Sequence, residues 1–148
     1  VTVISKYSDE ILVLETNIDD SSGEMLGFVL ERLFKEGAKD AFFTSIYMKK
    51  NRPAYKLTVL CDKSKKEAME NIIFDETTAI GIRYRLEKRT CLDRCLDEFD
   101  TCYGKIKVKC VETNKGLKVY PEYESARQAA EKFSVPLSYV YQAVKNYK

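Results

Sequence analysis

The sequence has 148 residues, 45% of them hydrophobic and 32% charged, with 25 Lys and Arg against 23 Asp and Glu. That is the composition of one ordinary globular domain, and its near-neutral balance carries no signature of a polyanionic partner. The absence of histidine excludes His-dependent catalytic triads, His-ligated zinc and imidazole proton shuttles, and the absence of tryptophan excludes Trp stacking.

The stretch "ILVLETNI" (11–18) reads as a strand. It is followed by Ser21-x-x-Glu24, a capping-box pattern. Leu26, Val29, Leu30, Leu33 and Phe34 then recur at helical spacing, and Gly37 predicts the helix end. "DAFFTSIYMKK" (40–50) and "AYKLTVLCD" (54–62) are strand-like, joined through the turn Asn51-Arg52-Pro53. "KSKKEAMENIIF" (63–74) predicts a second helix that buries Ala68, Met69, Ile72 and Ile73, and "AIGIRYRLEKRTCL" (79–92) predicts a long strand. The order βαββαβ, over about 11–98, is that of a ferredoxin-like core in the α+β class.

"GKIKVKCVE" (104–112) and "GLKVY" (116–120) predict a hairpin within about 103–120. A helical tail follows at about 122–147. Ala126, Ala129, Ala130 and Phe133 stripe its first helix, Val140, Val144 and Tyr147 stripe its second, and Pro136 separates them. The expectation is a single domain, 1–148, with a C-terminal helical extension. Because the chain opens with Val, it reads as a piece of a longer protein.

The five cysteines, Cys61, Cys91, Cys95, Cys102 and Cys110, are odd in number and contain no Cys-x-x-Cys pair. They fit a reducing compartment and read as small buried or half-buried side chains, with Cys91 and Cys95 on one strand. No apolar run is long enough to span a bilayer and the N-terminus does not read as a signal peptide, so a cytoplasmic protein without membrane contact is expected.

Alternation along the first strand turns Leu12, Leu14, Thr16 and Ile18 toward the helices and Ile11, Val13, Glu15, Asn17 and Asp19 away from them. In the fourth strand Arg83, Arg85 and Glu87 oppose Ile82, Tyr84 and Leu86. The helix-free face thus carries acids beside arginines. Three clusters add to it: Lys49, Lys50 and Arg52 at a strand end and turn; Glu76, Thr77 and Thr78 ahead of Gly81; and Lys105, Lys107 and Lys109 on one face of "KIKVK". Acids with hydroxyls suit a hard divalent ion such as Mg²⁺ or Mn²⁺, and nearby cations suit the phosphates such an ion bridges. Neither G-x-x-x-x-G-K nor G-x-G-x-x-G occurs. Solvated surface salt bridges are the plainer account of the same residues.

The tail "ARQAAEKFSVPLSYVYQAVKN" (126–146) has the outline of a helix-turn-helix in which Ser138, Tyr139 and Gln142 would meet base edges and Lys145 a phosphate. Its charge is thin for a nucleic-acid reader, and nucleic acid is not the expected partner.

Taken together, "LETNIDDSSGE", "FFTSIYMKKNRP", "FDETTAIGIR", "YGKIKVK" and "PEYESARQAAEKFSVPLSYVY" resemble the C-terminal domain of the nickel-pincer cofactor nickel-insertion proteins, cyclometallases of lactate racemase cofactor synthesis. The resemblance runs from about Val13 to Tyr141. It implies an enzyme that inserts Ni²⁺ into a pyridinium bis-thiocarboxylic acid mononucleotide and forms a carbon–nickel bond, with CTP consumed to CMP. It also implies that this domain binds CTP with Mn²⁺ or Mg²⁺ and assembles into trimer-based homo-oligomers. By motif, Asp19 and Asp20 are the candidate metal ligands. Lys49, Lys50, Arg52, Thr77, Thr78, Arg83 and Lys105 are candidates for the phosphates, and Glu122 and Glu124 for base, ribose or a subunit contact. No catalytic residue is assigned. Whole family members carry a larger N-terminal region, often with a His-rich stretch, so nucleotide binding rather than complete nickel insertion is expected of this chain alone. The rival readings are a nucleic-acid-binding module that uses the tail and a non-catalytic oligomerisation domain.

Overall fold

A computed structural model describes residues 6–146. The chain forms two compact units, Ser8–Arg89 and a second built on the residues from Thr90 onward, and each has its own core.

The N-terminal unit contains β1 (Lys6–Ile18), α1 (Gly23–Glu36), β2 (Asp40–Met48), β3 (Arg52–Cys61), α2 (Lys66–Glu76) and β4 (Arg83–Leu92). Its sheet order is β2-β3-β1-β4, with β3 antiparallel to both β2 and β1. Arg83 bonds Glu15 and Asn17 while Arg89 bonds Asp9, so β4 runs opposite to β1. This is the ferredoxin-like arrangement expected from the order of elements. Leu12, Leu14 and Ile18 of β1, Leu57, Val59 and Cys61 of β3, and Leu26, Val29, Leu33, Met69, Ile72 and Ile73 of the helices fill the core between sheet and helices. Burying side chains of this size contributes roughly 1.5–3 kcal/mol each. An ion pair between Arg32 and Glu76 ties α1 to the end of α2.

Several local expectations change. The N-cap of α1 is Ser22, whose hydroxyl accepts from the Met25 amide at 3.3 Å, one residue beyond the expected Ser21. Phe34 is 48% exposed, because it lies at the rim of the α1 stripe rather than in it. The β2–β3 turn is Lys49–Asn51, and Arg52 and Pro53 already pair with Met48 and Tyr47. Ala79–Ile82 precede β4 instead of opening it, with Ile80 fully exposed. Ile11 and Val13, on the side of β1 turned from the helices, are buried, so that face is apolar at mid-strand, between Asp9, which bonds Arg89, and Glu15.

The C-terminal unit pairs β5 (Arg94–Thr101), β6 (Gly104–Thr113) and β7 (Gly116–Pro121) in that order, and α3 (Tyr123–Phe133) and α4 (Leu137–Lys145) follow. The expected hairpin is therefore two strands of three. β5 escaped the sequence reading because an exposed edge strand needs little apolar alternation. For the same reason Cys91 and Cys95 stand on different strands, β4 and β5. Ile106, Val108 and Cys110 face Ala126, Ala129, Ala130, Val140 and Val144 in the core. Phe133 is 43% exposed yet makes an edge-to-face contact with Tyr103, and Tyr147 lies outside the described residues. Among the described residues no helix is long and apolar enough to cross a membrane.

Candidate functional site

The end of β1 places Asn17, Asp19 and Asp20 just before the start of α1. A surface depression of about 450 Å³ gathers Asn17, Asp19, Asp20, Met48, Thr78 and Arg83 within the N-terminal unit, with Gly81 at its edge. Four candidates named from the sequence, Asp19, Asp20, Thr78 and Arg83, thus meet in one place although they come from three segments. Thr78 donates a hydrogen bond to Asp20 Oδ1, and Arg52 Nη1 donates to Asp19 Oδ2 at 2.9 Å. These bonds engage one oxygen of each carboxylate. Between the acids and the helix, the Ser21 hydroxyl is buried and has no partner among the described residues.

Behind the depression lies a charge cluster that the sequence named only in part. Glu15 is 9% exposed and receives Lys56 at 3.5 Å, Arg83 at 3.2 Å and Arg85 at 3.3 Å. Burial by itself would raise this carboxyl. The hydrogen bonds from Arg85 and Arg83, with the nearby Lys56 charge, outweigh it and hold Glu15 below the usual carboxylate range. Arg83 also donates to Asn17 Oδ1 at 3.0 Å, so one guanidinium joins the buried carboxylate to the strand end that lines the depression. Thr58, the register partner of Glu15 on β3, is 5% exposed, and its hydroxyl too lacks a partner among the described residues. Lys56 and Thr58 were visible only as alternate residues of β3; Arg85 was read as facing the acids but not as a ligand residue.

The remaining candidates divide. Lys49 and Lys50 form the β2–β3 turn directly after Met48, with Lys50 at φ 62° and Asn51 at φ 55°. Thr77 caps α2: its hydroxyl donates to the Ile73 carbonyl at 2.7 Å and accepts from the Ala79 amide at 3.1 Å. Lys105, Glu122 and Glu124 belong to the C-terminal unit. There Glu122 shares a shallow hollow with Leu96, Asp97, Glu98 and Lys107, and Glu124 is paired with Arg127 at 2.9 Å.

The donor set around Asp19 and Asp20 is all oxygen, the preference of a hard divalent cation. Among the described residues no group of three or more His, Cys, Asp or Glu side chains converges. An ion held here would therefore take two carboxylates at most and complete its shell with water and ligand oxygens, which is the habit of Mg²⁺.

Comparison with known proteins gives this geometry a context. The chain is 49% identical over 139 residues to the pyridinium-3,5-bisthiocarboxylic acid mononucleotide nickel insertion protein of Alkaliphilus metalliredigens, an overlap of 94% of this chain and 33% of that protein. It is 42% identical over 141 residues to the protein of the same name from Lactiplantibacillus plantarum, covering 95% and 34%. The chain thus spans about a third of the length of the curated relatives it matches. Among solved structures it is similar to the apo form of LarC2, the C-terminal domain of a cyclometallase involved in the synthesis of the NPN cofactor of lactate racemase. That match has a TM-score of 0.87 at 43% identity and covers 93% of this chain and 96% of that one. A protein from Methanopyrus kandleri shares the fold, with TM-score 0.65 at 24% identity over 91% and 86% of the two chains. The family model described as nickel insertion protein matches residues 2–141, and the chain belongs to that family.

Proposed function

We propose that this chain is the nucleotide-binding C-terminal part of an enzyme that inserts Ni²⁺, its substrate metal, into a pyridinium bis-thiocarboxylic acid mononucleotide. It binds CTP with Mn²⁺ or Mg²⁺, and CTP is consumed to CMP in the whole enzyme. The observation that carries this reading is the meeting of Asp19, Asp20, Thr78 and Arg83 in one depression beside the Lys49–Lys50 turn. Asp19 and Asp20 hold the divalent ion, which when bound supplies charge neutralisation for phosphoryl oxygens. Arg52, which bonds Asp19, and Arg83, which lines the same depression, share a phosphate with the ion, and Lys49 and Lys50 extend the cationic rim. Arginine suits this role because its planar fork matches phosphate oxygens. In the C-terminal unit Lys105 is a further phosphate ligand, and Glu122 and Glu124 serve the base, the ribose or a subunit contact. The chain works in the cytoplasm as a trimer-based homo-oligomer, joined to the N-terminal region that completes the nickel site.

Thermal unfolding with CTP, ATP, GTP and UTP, each with and without Mn²⁺ or Mg²⁺, tests the proposal. A ligand of the folded state stabilises by roughly 2.7 kcal/mol at a hundredfold excess over its dissociation constant. A metal-dependent rise selective for CTP is expected, and it should be lost in Asp19→Ala and Arg83→Ala while the folded spectrum is kept. No rise with any nucleotide, or one indifferent to metal, overturns it.

The helical tail supports a second reading. Ser138, Tyr139, Gln142 and Lys145 are all exposed on α4, and Ser134 takes the left-handed turn position between the helices at φ 52°. Against nucleic acid stands Arg127, which is engaged by both Glu124 and Glu131. Salt-sensitive duplex binding lost in Tyr139→Ala would favour the second reading, and no binding at low salt disposes of it.

A further inference from the structure

The C-terminal unit sets two of its cysteines directly across from each other. Cys95 on the edge strand β5 and Cys110 on the central strand β6 are register partners in an antiparallel pair. Directly opposed residues point to the same face with Cα atoms roughly 4.5–5.5 Å apart, inside the roughly 4.4–6.8 Å that a disulfide spans. The two are already in contact, with Cys95 Sγ 3.8 Å from the Cys110 carbonyl oxygen.

Their exposure differs in a useful way. Cys95 is exposed, whereas Cys110 is 4% exposed. A surface hollow of about 260 Å³, lined by Asp93, Arg94, Cys95, Cys110, Glu112 and Leu117, includes both. A small reagent therefore reaches Cys95 first and finds Cys110 behind it. Burial raises the Cys110 thiol, and the adjacent Cys95 adds to that rise.

We infer that Cys95 and Cys110 form a dithiol–disulfide pair that exchanges with low-molecular-weight disulfides such as oxidised glutathione. The Cys95 thiolate attacks one sulfur of the small disulfide, the S–S bond breaks, and glutathione leaves as a thiolate that takes up a proton. Cys110 then loses its proton and attacks Cys95 Sγ, expelling the second glutathione. The protein is oxidised by two electrons and one glutathione disulfide is reduced to two thiols. The bond ties edge strand β5 to β6, adding a covalent link to a strand that, among the described residues, pairs with β6 alone. Of the other cysteines, Cys61 is buried in the N-terminal core and Cys102 lies in the β5–β6 turn.

The test incubates the reduced, folded 148-residue chain with oxidised glutathione, then alkylates, digests and weighs the peptides. The expected result is the loss of two of the five alkylatable thiols, one cross-linked peptide joining Cys95 to Cys110, and full recovery with dithiothreitol. Cys95→Ser should keep every remaining thiol, and Cys110→Ser should stop at a glutathione adduct on Cys95. Cys110→Ala, suited to the apolar site, carries the same test if the serine variant does not fold. Five thiols retained, a stable glutathione adduct on Cys95 of the unsubstituted chain, or a cross-link to Cys91 or Cys102 overturns the inference.

Discussion

Each sheet turns one face away from its helices, and the two faces handle charge differently. In the three-stranded sheet, Lys105 and Lys107 of β6 are exposed opposite Asp100 and Glu98 of β5. In the four-stranded sheet, Glu15 sits on a central strand flanked by β3 and β4, both of which supply long cations, and Lys56, Arg83 and Arg85 cover it. The same alternation of residues thus yields a solvated surface in one case and a nearly buried carboxylate in the other. Sheet position decides: long side chains on both neighbouring strands can fold over a central carboxylate and displace its water. Exposed cross-strand charges are worth little, whereas charge-assisted hydrogen bonds to a sequestered group are strong and make stability depend on pH.

The sharpest way to separate charge from carbon is to alter neighbours on β1. Leu14→Ala removes a fully buried side chain and should lower unfolding stability by about 3 kcal/mol in denaturant titration. Next in size is Glu15→Gln, expected to lose about 2 kcal/mol at neutral pH as its charge-assisted bonds weaken. The sign with pH follows from the lowered Glu15 carboxyl. Its contribution is complete above the ordinary carboxylate range and is lost as pH falls through the depressed folded value, so the variant should lose less stability on acidification. An equal acid slope in both proteins would break the contrast between the faces. Lys107→Ala, on the solvated face, should change stability by no more than about 0.5 kcal/mol.

The start of α1 gives a finer comparison. Ser22→Ala should lose about 1 kcal/mol with the N-cap bond. Ser21→Ala removes a buried hydroxyl that has no partner among the described residues, so it should be neutral to within about 0.5 kcal/mol. If Ser21 proved the costlier of the two, the cap assignment would be wrong.

Much of the N-terminal unit was legible because its signals are local and redundant. The stripe of Leu26, Val29 and Leu33, the stop at Gly37, and the buried Met69, Ile72 and Ile73 each follow from helical period. Strand β5 was not legible: none of Arg94–Thr101 is buried, and among the described residues it pairs with β6 alone. The site was partly legible. Asp19, Asp20, Thr78 and Arg83 could be named as types of ligand, but Thr77 looked equivalent to Thr78 until its hydroxyl proved to cap α2.

By itself the sequence determined the βαββαβ order of the N-terminal unit, most residues of both cores and the family, because period, punctuation and motif identity are properties of neighbouring residues. The tertiary structure alone decided which charges meet. Arg83 reaches Glu15 and Asn17 across more than 60 residues of chain, as does Thr78 nearly as far to Asp20, and Cys95 faces Cys110 only through the β5–β6 register. Contacts of that kind depend on strand order and register, which are set by the packing of whole elements rather than by any segment alone.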